Sequence, residues 1–372
     1  MNFGFNEEQE LLRDQVRRFL DTNCPLSKVR EIMKEPEGFS RQLWQQMGEL
    51  GWLGLVIPPD YGGVGLSWVD LTVILEETGR SLYPSPFISH SIAASTLAET
   101  ATDSQQKRWL TDLTSGDSIA SLAILDDDGP PNADNITLVG TGNGKSFMLN
   151  GEKRLVPDAG LADLFIVAFR EGTSNGKIAL AVVERDQQGV SVTGTGTMDQ
   201  TKRTGSVKLD NVTADETSLL HCDSDTIVRL LDKGVVAVTA EIIGAAEAAL
   251  DMTTNYAKER IQFDSPIGRY QSVKHRLAEI YLDIESFKSL LYYAAWTVDE
   301  SPGELSRSAS LAKAYASQAF AQIGIDSVHL HGAIGYTAEY DIQLYLKRSK
   351  WARPMYGDTD YHYERVATLG EL

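Results

Sequence analysis

The chain has 372 residues, a length that suits two or three domains rather than one hydrophobic core. It is 42% hydrophobic and 23% charged, which is typical of a folded globular protein rather than a disordered one. Its formal net charge of −18 disfavours binding to nucleic acid or to an anionic membrane, because both interactions draw on basic patches.

The chain also shows no sequence pattern of a membrane, secreted or disulfide-linked protein. No apolar run reaches the roughly 20 residues that a membrane-spanning helix needs, and the first ten residues lack the pattern of a signal peptide. Cys24 and Cys222 lie far apart and indicate neither a disulfide framework nor a CxxC site. We therefore expect a soluble cytoplasmic protein.

The first part of the chain, to about residue 120, is predicted to be helical. Asn6 followed by Gln9 is a capping box for the first helix. Apolar residues at helical spacing then predict helices over 40–50, 68–81, 88–100 and 104–114. Tyr61–Gly65 is predicted to form a loop between them.

From about residue 121 the pattern changes to short β-branched and apolar runs separated by Gly, Asn and Asp. They predict strands over 136–139, 146–149, 164–168, 178–183, 190–193 and 206–212. No helix-length segment intervenes, so we expect an antiparallel β domain rather than βαβ units. The Gly-rich segment 140–144 is expected to be a hairpin loop, not a dinucleotide-binding turn, because strands flank it on both sides.

The last part of the chain is again predicted to be helical, over 227–258, 271–298 and 304–330 with a further helix near the end. Three long neighbouring helices predict a bundle. The expected fold class is α+β, with a helical domain over 1–120, a β domain over 121–222 and a four-helix bundle over 223–372.

Two familiar catalytic patterns are not supported. His329 and His331 would point to different sides of a helix and have no carboxylate at a usual ligand spacing, so no metal site is expected. The chain also contains no G-x-S-x-G elbow, which disfavours a serine hydrolase.

The most distinctive segment reads Arg260-x-Gln262-Phe263-x-x-Pro266-Ile267 and is followed by Gln271. It resembles the signature of the acyl-CoA dehydrogenase family. Residues 51–66, 149–153, 162–163 and 331–340 resemble further motifs of that family in the same order. The resemblance implies a helical, β and helical domain order, which agrees with the order predicted from periodicity.

The resemblance also implies a chemistry. In such enzymes a carboxylate removes the Cα proton of an acyl-CoA thioester, and FAD takes a hydride from Cβ to give a trans-2-enoyl-CoA. Electrons then pass to an electron-transferring flavoprotein. The carboxylate must have a pKa near the working pH to act as a base.

Carried over residue by residue, the resemblance places Arg260 and Phe263 against the FAD of a neighbouring subunit, with Gln271 close by. A guanidinium matches the charge and geometry of a pyrophosphate. Two glycines are expected to permit close approach of the backbone to the nucleotide. The remaining expected cofactor contacts are His329, Gly332, Gly335 and Thr359, and the expected substrate contacts are Tyr356 and Gly357.

The chain departs from the family at the catalytic base. The usual Glu falls on Gly357, and the alternative position on the first long C-terminal helix falls on Gly234, beside Val235. Two carboxylates are candidates for a replacement. Glu241 follows Gly234 by seven residues, which keeps it within about 20° of the same helix face, and Asp358 is one residue away from the usual place.

Each candidate also has a structural interpretation. Glu241 lies among apolar residues and is expected to be buried, where it needs either a raised pKa or a partner on a neighbouring helix. Asp358 has a short side chain and suits a structural or Arg-pairing role. We expect Glu241 to be the base if this chain performs the proton transfer itself.

The flavin-binding loops depart as well. Residues 125–130 contain three successive Asp residues, which would repel flavin phosphates if they faced them. Residues 154–159 lack the hydroxyl groups that the family places beside the flavin ring.

This pattern of loss resembles the β-type small subunit of α2β2 acyl-CoA dehydrogenases of steroid side-chain and dicarboxylate breakdown. A homotetramer remains an alternative assembly. Two other functions remain open: a non-catalytic partner subunit, and a related flavin enzyme such as an acyl-CoA oxidase or one with an Asp base. The acyl group, whether fatty, dicarboxylic or steroid-derived, is left open by the sequence.

Overall fold

The first helix begins at the capping box that the sequence predicts. In the computed structural model the Asn6 side-chain oxygen accepts from the Gln9 N–H at 2.8 Å, and the Gln9 side chain accepts from the Asn6 N–H at 3.0 Å. The structure describes residues 4–127, 129–142, 144–223 and 225–370. They form two compact units, one from 4–31, 68–83 and 235–370, the other from the described residues of 32–67 and 84–234.

The helices follow the predicted order. In the described residues they are α1 (Glu7–Asn23), α2 (Leu26–Ile32), α3 (Arg41–Glu49), α4 (Trp68–Arg80), α5 (Phe87–Thr100), α6 (Asp103–Ser115), α7 (Thr226–Glu259), α8 (Gln271–Glu300), α9 (Leu305–His331), α10 (Ile342–Ala352) and α11 (Thr359–Leu369). Local signals explain several of the boundaries. The Ser40 hydroxyl caps α3, and Thr102 with Gln105 forms a capping box on α6.

The strands lie between α6 and α7, with one short pair after α7. They are β1 (Ala120–Ala123), β2 (Val139–Gly142), β3 (Ser146–Pro157), β4 (Leu164–Glu171), β5 (Ile178–Glu184), β6 (Val190–Thr195), β7 (Thr204–Asp215), β8 (Leu219–Leu220), β9 (Ile261–Gln262) and β10 (Ser265–Pro266). The first eight form one sheet in the order β6-β7-β3-β2-β4-β5-β8, and β1 pairs with β4.

The sheet differs from the prediction in its strand directions. Most neighbours are antiparallel, but β1 and β2 each pair with β4 in parallel, so the sheet is mixed. The strand predicted over 136–139 begins only at Val139, because Asp126 binds the N–H groups of Thr137 and Leu138. The Gly-rich segment, predicted to be a hairpin loop, differs in part: Gly140–Gly142 belong to β2 and pair antiparallel with β3. Residue 143 lies outside the described residues.

Glycines set the approach of α4 to α7 within the first unit. A Cβ atom at Gly79 would overlap the backbone of Glu241, and one at Gly244 would overlap the backbone of Glu76. The two helices therefore pack with their backbones in contact, which buries the side chains on both sides of the crossing. Glu241 and Glu76, the two carboxylates at this crossing, are only 1% and 2% exposed.

Three long helices and two helices of 11 residues make up the C-terminal part of the chain. The helical, β and helical order of the fold is thus confirmed. The boundaries at residues 120 and 222 remain a prediction. Among the described residues, no helix has both the length and the apolar character needed to cross a membrane.

Candidate functional site

The turn between α10 and α11 carries Tyr356, Gly357 and Asp358, and Thr359 begins α11 directly after it. Tyr356 has a φ of +56°, and Gly357 has a φ of +104° and is buried. A Cβ atom at Gly357 would overlap the ring of Tyr361 and lie 2.9 Å from Nε2 of His362. The turn is therefore shaped around a glycine, and a side chain at this position meets both backbone strain and steric overlap.

Asp358 begins α11 rather than facing an open site. Its Oδ1 atom accepts from the Tyr361 N–H at 2.9 Å, so the carboxylate is the N-cap of that helix. The position suits a negative charge because the N-terminus of a helix carries a partial positive charge. This geometry supports the structural interpretation of Asp358 over its use as a base.

Thr359, the next residue, differs from Asp358 in its surroundings. It is 3% exposed, and its hydroxyl has no hydrogen-bonding partner within the described part of the chain. A cavity of about 580 Å³ is lined by Thr359 together with Arg353 and Lys350. The wall of the same cavity also carries Asp283 and Asp360. A buried hydroxyl at such a mixed polar wall fits a position that meets a polar ligand.

Glu241 lies in a buried ion pair. Its Oε2 atom is 3.0 Å from Nη1 of Arg348 on α10, and both side chains are at most 2% exposed. The Thr78 hydroxyl on α4 lies 3.5 Å from the other carboxylate oxygen. Glu241 thus joins three helices of one unit, which favours the structural alternative considered for it. Sequence spacing could not identify Arg348, which lies 107 residues away.

Gly234, the second place where a base was considered, is buried within α7. A glycine supplies no titratable group, so neither Gly234 nor Gly357 can itself act as a base. The described residues also contain no cluster of three or more His, Cys, Asp or Glu side chains that could hold a metal ion.

Arg260, Phe263 and Gln271 share one exposed surface segment. Arg260 directly follows α7, Phe263 lies at the tip of the β9–β10 hairpin, and Gln271 begins α8. Phe263 is 89% exposed and has a φ of +51°, which is unusual for an aromatic residue. An exposed aromatic side chain beside an exposed guanidinium indicates a surface that meets another molecule.

The end of α9 carries His329, Gly332 and Gly335. His329 is exposed, whereas His331 is buried and its Nδ1 atom contacts the Ser327 carbonyl at 2.7 Å. Gly332 has a φ of +65° and open space around a virtual Cβ. Gly335 is buried, and a Cβ there would lie 2.6 Å from the Val328 carbonyl oxygen.

The first of the three successive Asp residues after β1, Asp126, points into the protein. Oδ1 of Asp126 pairs with Nζ of Lys153 at 2.7 Å, and both side chains are at most 8% exposed. Burial lowers the pKa of the Lys153 ammonium to about 8, against the attraction of Asp126. Asp127 accepts from the Gly129 N–H at 2.8 Å. Asp128 lies outside the described residues.

The end of β3, where hydroxyl groups were expected, holds different chemistry. Leu155 is 47% exposed with a φ of +50°, and a register shift in the pairing with β7 occurs between Lys153 and Val156. Asp158 has a φ of +51° and accepts from the Ser89 hydroxyl at 2.7 Å. This segment therefore presents an aliphatic side chain at its surface and an acidic one in its interior.

Comparisons with known proteins cover nearly the whole chain. Three family models match in order: the N-terminal domain of acyl-CoA dehydrogenase over residues 6–117, its middle domain over 121–212 and its C-terminal domain over 225–369. The acyl-CoA dehydrogenase IpdE2 of Mycolicibacterium smegmatis is 30% identical over 353 residues, with 95% of each chain covered.

Two solved structures are similar in sequence as well as in fold. The ChsE4–ChsE5 complex from Mycobacterium tuberculosis has a TM-score of 0.91 and 27% identity, with 100% of both chains covered. A variant of the steroid acyl-CoA dehydrogenase Tcur3481–Tcur3483 has a TM-score of 0.89 and 28% identity, with 98% of both chains covered.

Proposed function

Because the chain belongs to the acyl-CoA dehydrogenase family, we propose that it is a subunit of an FAD-dependent acyl-CoA dehydrogenase whose catalytic base is supplied by a partner chain. One observation carries the second half of this proposal. Both positions at which the family places its base are glycines here, Gly234 and Gly357. The reaction is the desaturation of an acyl-CoA thioester between Cα and Cβ.

The two replacement carboxylates do not change this assignment. Glu241 is paired with Arg348 in the protein interior, and Asp358 caps α11. A general base must reach the proton that it removes within about 2.6–3.2 Å or through one water molecule. Each carboxylate already has a partner within the chain, Arg348 for Glu241 and the Tyr361 N–H for Asp358, and this supports a structural role for both.

The exposed segment around Arg260 fits FAD held across a subunit boundary. Arg260 offers the guanidinium that a pyrophosphate prefers, and the exposed ring of Phe263 offers a flat apolar surface. Gln271, His329, Gly332, Gly335 and Thr359 complete the proposed contacts. When bound, FAD supplies the acceptor for the hydride that leaves Cβ. We propose Tyr356 and the backbone at Gly357 as contacts for the acyl-CoA.

The β domain fits FAD less well. Leu155 and Pro157 stand where hydroxyl groups were expected, so this segment offers fewer hydrogen bonds to a flavin ring. The charge of Asp126 is neutralised by Lys153, which removes one of the three expected repulsions. These differences favour a flavin-binding site that is formed mainly by another chain and completed by residues of this one.

The proposed assembly is a heteromer, an α2β2 tetramer, with a homotetramer as the competing outcome. Two structures with 27% and 28% identity to this chain are described as ChsE4–ChsE5 and Tcur3481–Tcur3483, each named for two components. The second is described as a steroid acyl-CoA dehydrogenase, so we propose a steroid-derived acyl-CoA as the substrate and an electron-transferring flavoprotein as the acceptor. Two free cysteines suit a reducing compartment, and we propose the cytoplasm.

Reconstitution tests the proposed function. The chain is purified alone and together with the product of an adjacent paralogous gene, and each sample is examined for flavin absorbance and for activity with a ferrocenium acceptor. The expected result is a yellow, active complex and a colourless, inactive single chain. Full activity of the single chain would contradict the shared site, and peroxide production would identify an oxidase.

A panel of fatty, dicarboxylic and steroid-derived thioesters tests the substrate class.

Arg260→Met, with Arg269→Met as its control, tests the FAD contact within the complex. Arg269 lies on the same exposed segment, but its guanidinium donates to the Ser265 hydroxyl at 3.0 Å. We expect Arg260→Met to lower FAD affinity at least about tenfold, the range for loss of one charge-assisted contact. Equal FAD affinity in the two variants would remove Arg260 from the proposed site.

A further inference from the structure

The ammonium group of Lys313 on α9 lies at the base of the turn that carries Gly357. Lys313 is fully buried. Its Nζ atom donates to the backbone carbonyls of Ala352 at 3.0 Å, Arg353 at 2.9 Å and Gly357 at 3.0 Å. A fourth contact, at 2.9 Å, joins it to the Ser317 hydroxyl on its own helix.

Two of the three carbonyls lie at the C-terminus of α10. Ala352 ends α10 and Arg353 is its C-cap. Their carbonyl groups therefore have no N–H donor within the helix. The C-terminus of a helix also carries partial negative charge, which favours a cation. Burial lowers the pKa of Lys313 to about 7. Its N–H groups nevertheless satisfy these carbonyls, whereas an unsatisfied buried carbonyl costs about 1–3 kcal/mol.

The contact to Gly357 fixes a conformation that the turn would not hold alone. A left-handed non-glycine residue such as Tyr356 costs about 1–3 kcal/mol and persists only when its surroundings hold it. His362 makes a second contact with the turn, since its Nε2 atom lies 3.0 Å from the Tyr356 carbonyl oxygen. Lys313 and His362 therefore hold consecutive carbonyls of the same strained turn.

We propose that Lys313 is a positioning residue for ligand binding: it holds the turn 353–358 so that the backbone at Gly357 and the hydroxyl of Thr359 meet the bound acyl-CoA and FAD. This inference rests on the proposed function for the identity of the ligands. Lys313 itself acts only through the backbone. Because the turn carries no base, we expect a substitution that disorders the turn to weaken ligand binding and to leave the proton transfer unchanged.

Lys313→Met removes the donor while keeping a long unbranched side chain. Ser317→Ala is the matched control, because it removes one contact of the same ammonium and leaves the three carbonyls bound. Lys313→Gln keeps two N–H donors and serves if the Met variant does not fold. All variants are prepared in the reconstituted complex.

Amide hydrogen exchange of residues 355–358 gives a readout that is independent of activity. The Gly357 N–H donates to the Pro354 carbonyl at 3.1 Å, so it reports on the turn directly. We expect its protection to fall at least about tenfold in Lys313→Met or Lys313→Gln and to stay within about threefold in Ser317→Ala, given the free energies of such contacts.

Kinetics separate positioning from a general loss of structure. We expect Lys313→Met to raise KM for the acyl-CoA at least about tenfold while kcat per bound FAD stays within about threefold, as when only binding is lost. Lower kcat per bound FAD at unchanged KM, or unchanged exchange at 355–358, would overturn the proposal. If no thioester is turned over even by the wild-type complex, the proposed function fails, and the exchange measurement still decides the role of Lys313.

Discussion

The ion pair between Glu241 and Arg348 is the residue-scale feature that most affects the account of catalysis. Glu241 was the strongest candidate for a base when only its spacing from Gly234 was known. Its carboxylate instead meets a guanidinium that is itself buried. Breaking one side of a buried pair leaves an uncompensated charge, which costs about 3–5 kcal/mol, whereas replacing both partners by apolar residues is often neutral.

Glu241→Gln is therefore predicted to lower the free energy of unfolding by about 3–5 kcal/mol, because the charged contact of Arg348 with Glu241 is lost. The double substitution Glu241→Leu with Arg348→Met is predicted to recover most of this loss. Denaturant unfolding of the purified chain measures both. Glu247→Gln, on the same helix but only partly buried, is the control and should cost less. A fully stable Glu241→Gln protein would show that the pair is unimportant.

Glu76 makes the free energy of unfolding depend on pH. Burial raises the pKa of Glu76 to about 7, against the attraction of Arg13, whose Nη2 atom lies 3.0 Å from its carboxylate. Tyr292 and Lys288 on α8 and Glu247 on α7 are the other titratable groups that act on it. Because the folded pKa lies above the unfolded value, the folded state binds the proton more tightly.

The free energy of unfolding is accordingly predicted to rise as pH falls from about 7 towards 4.5, by at most about 1.4 kcal/mol per pH unit from this group. Glu76→Gln should lack this contribution. Glu10→Gln, at an exposed carboxylate beside Arg13, is the control and should keep the wild-type slope. Denaturant unfolding at several pH values makes the measurement, and identical slopes for Glu76→Gln and wild type would refute it.

At the scale of elements, the turn between α10 and α11 explains why a base cannot simply be restored. Gly357→Glu reproduces the residue that the family usually has. It is nevertheless predicted to be destabilised and no more active, because the φ of +104° and the rings of Tyr361 and His362 oppose a side chain. Gly303→Glu, where a Cβ meets open space, is the control. A stable Gly357→Glu chain that is active without its partner would overturn this view of the turn.

The sequence predicted elements better than their contacts. The capping box at Asn6 and the helix after Ser40 could be predicted because the signals are local. Strand β3 was predicted to be only four residues long, yet it extends to Pro157 through two register shifts that depend on pairing with β7. The parallel contacts of β1 and β2 with β4 likewise depend on pairing between distant segments.

The candidate site was predictable only in part for the same reason. Motif resemblance proposes Arg260, Phe263 and the glycine at position 357 for the site, because all of them lie in short ordered motifs. It did not reveal Lys313 or Arg348, since a charged residue within a helix is usually exposed. Both charges are buried because they meet acceptors 39 or more residues away in sequence, and local spacing carries no signal of such contacts.

At the scale of the whole molecule, the central claim is that this chain takes part in an acyl-CoA dehydrogenase without providing its base. The fold and the family matches cover the chain almost from end to end. Among the departures that bear on the proposed chemistry are the two glycines where a base was expected, Gly234 and Gly357, and the altered flavin loops.

The most direct test is the turnover of a complex in which this chain has lost both candidate carboxylates. Glu241→Leu and Arg348→Met replace the buried pair together, and Asp358→Asn keeps a good N-cap for α11. With FAD content matched to wild type, kcat is predicted to stay within about threefold, whereas loss of a true base typically costs about a hundredfold to ten-thousandfold. A loss of that size, with FAD bound and the complex intact, would show that this chain carries the base and would contradict the account.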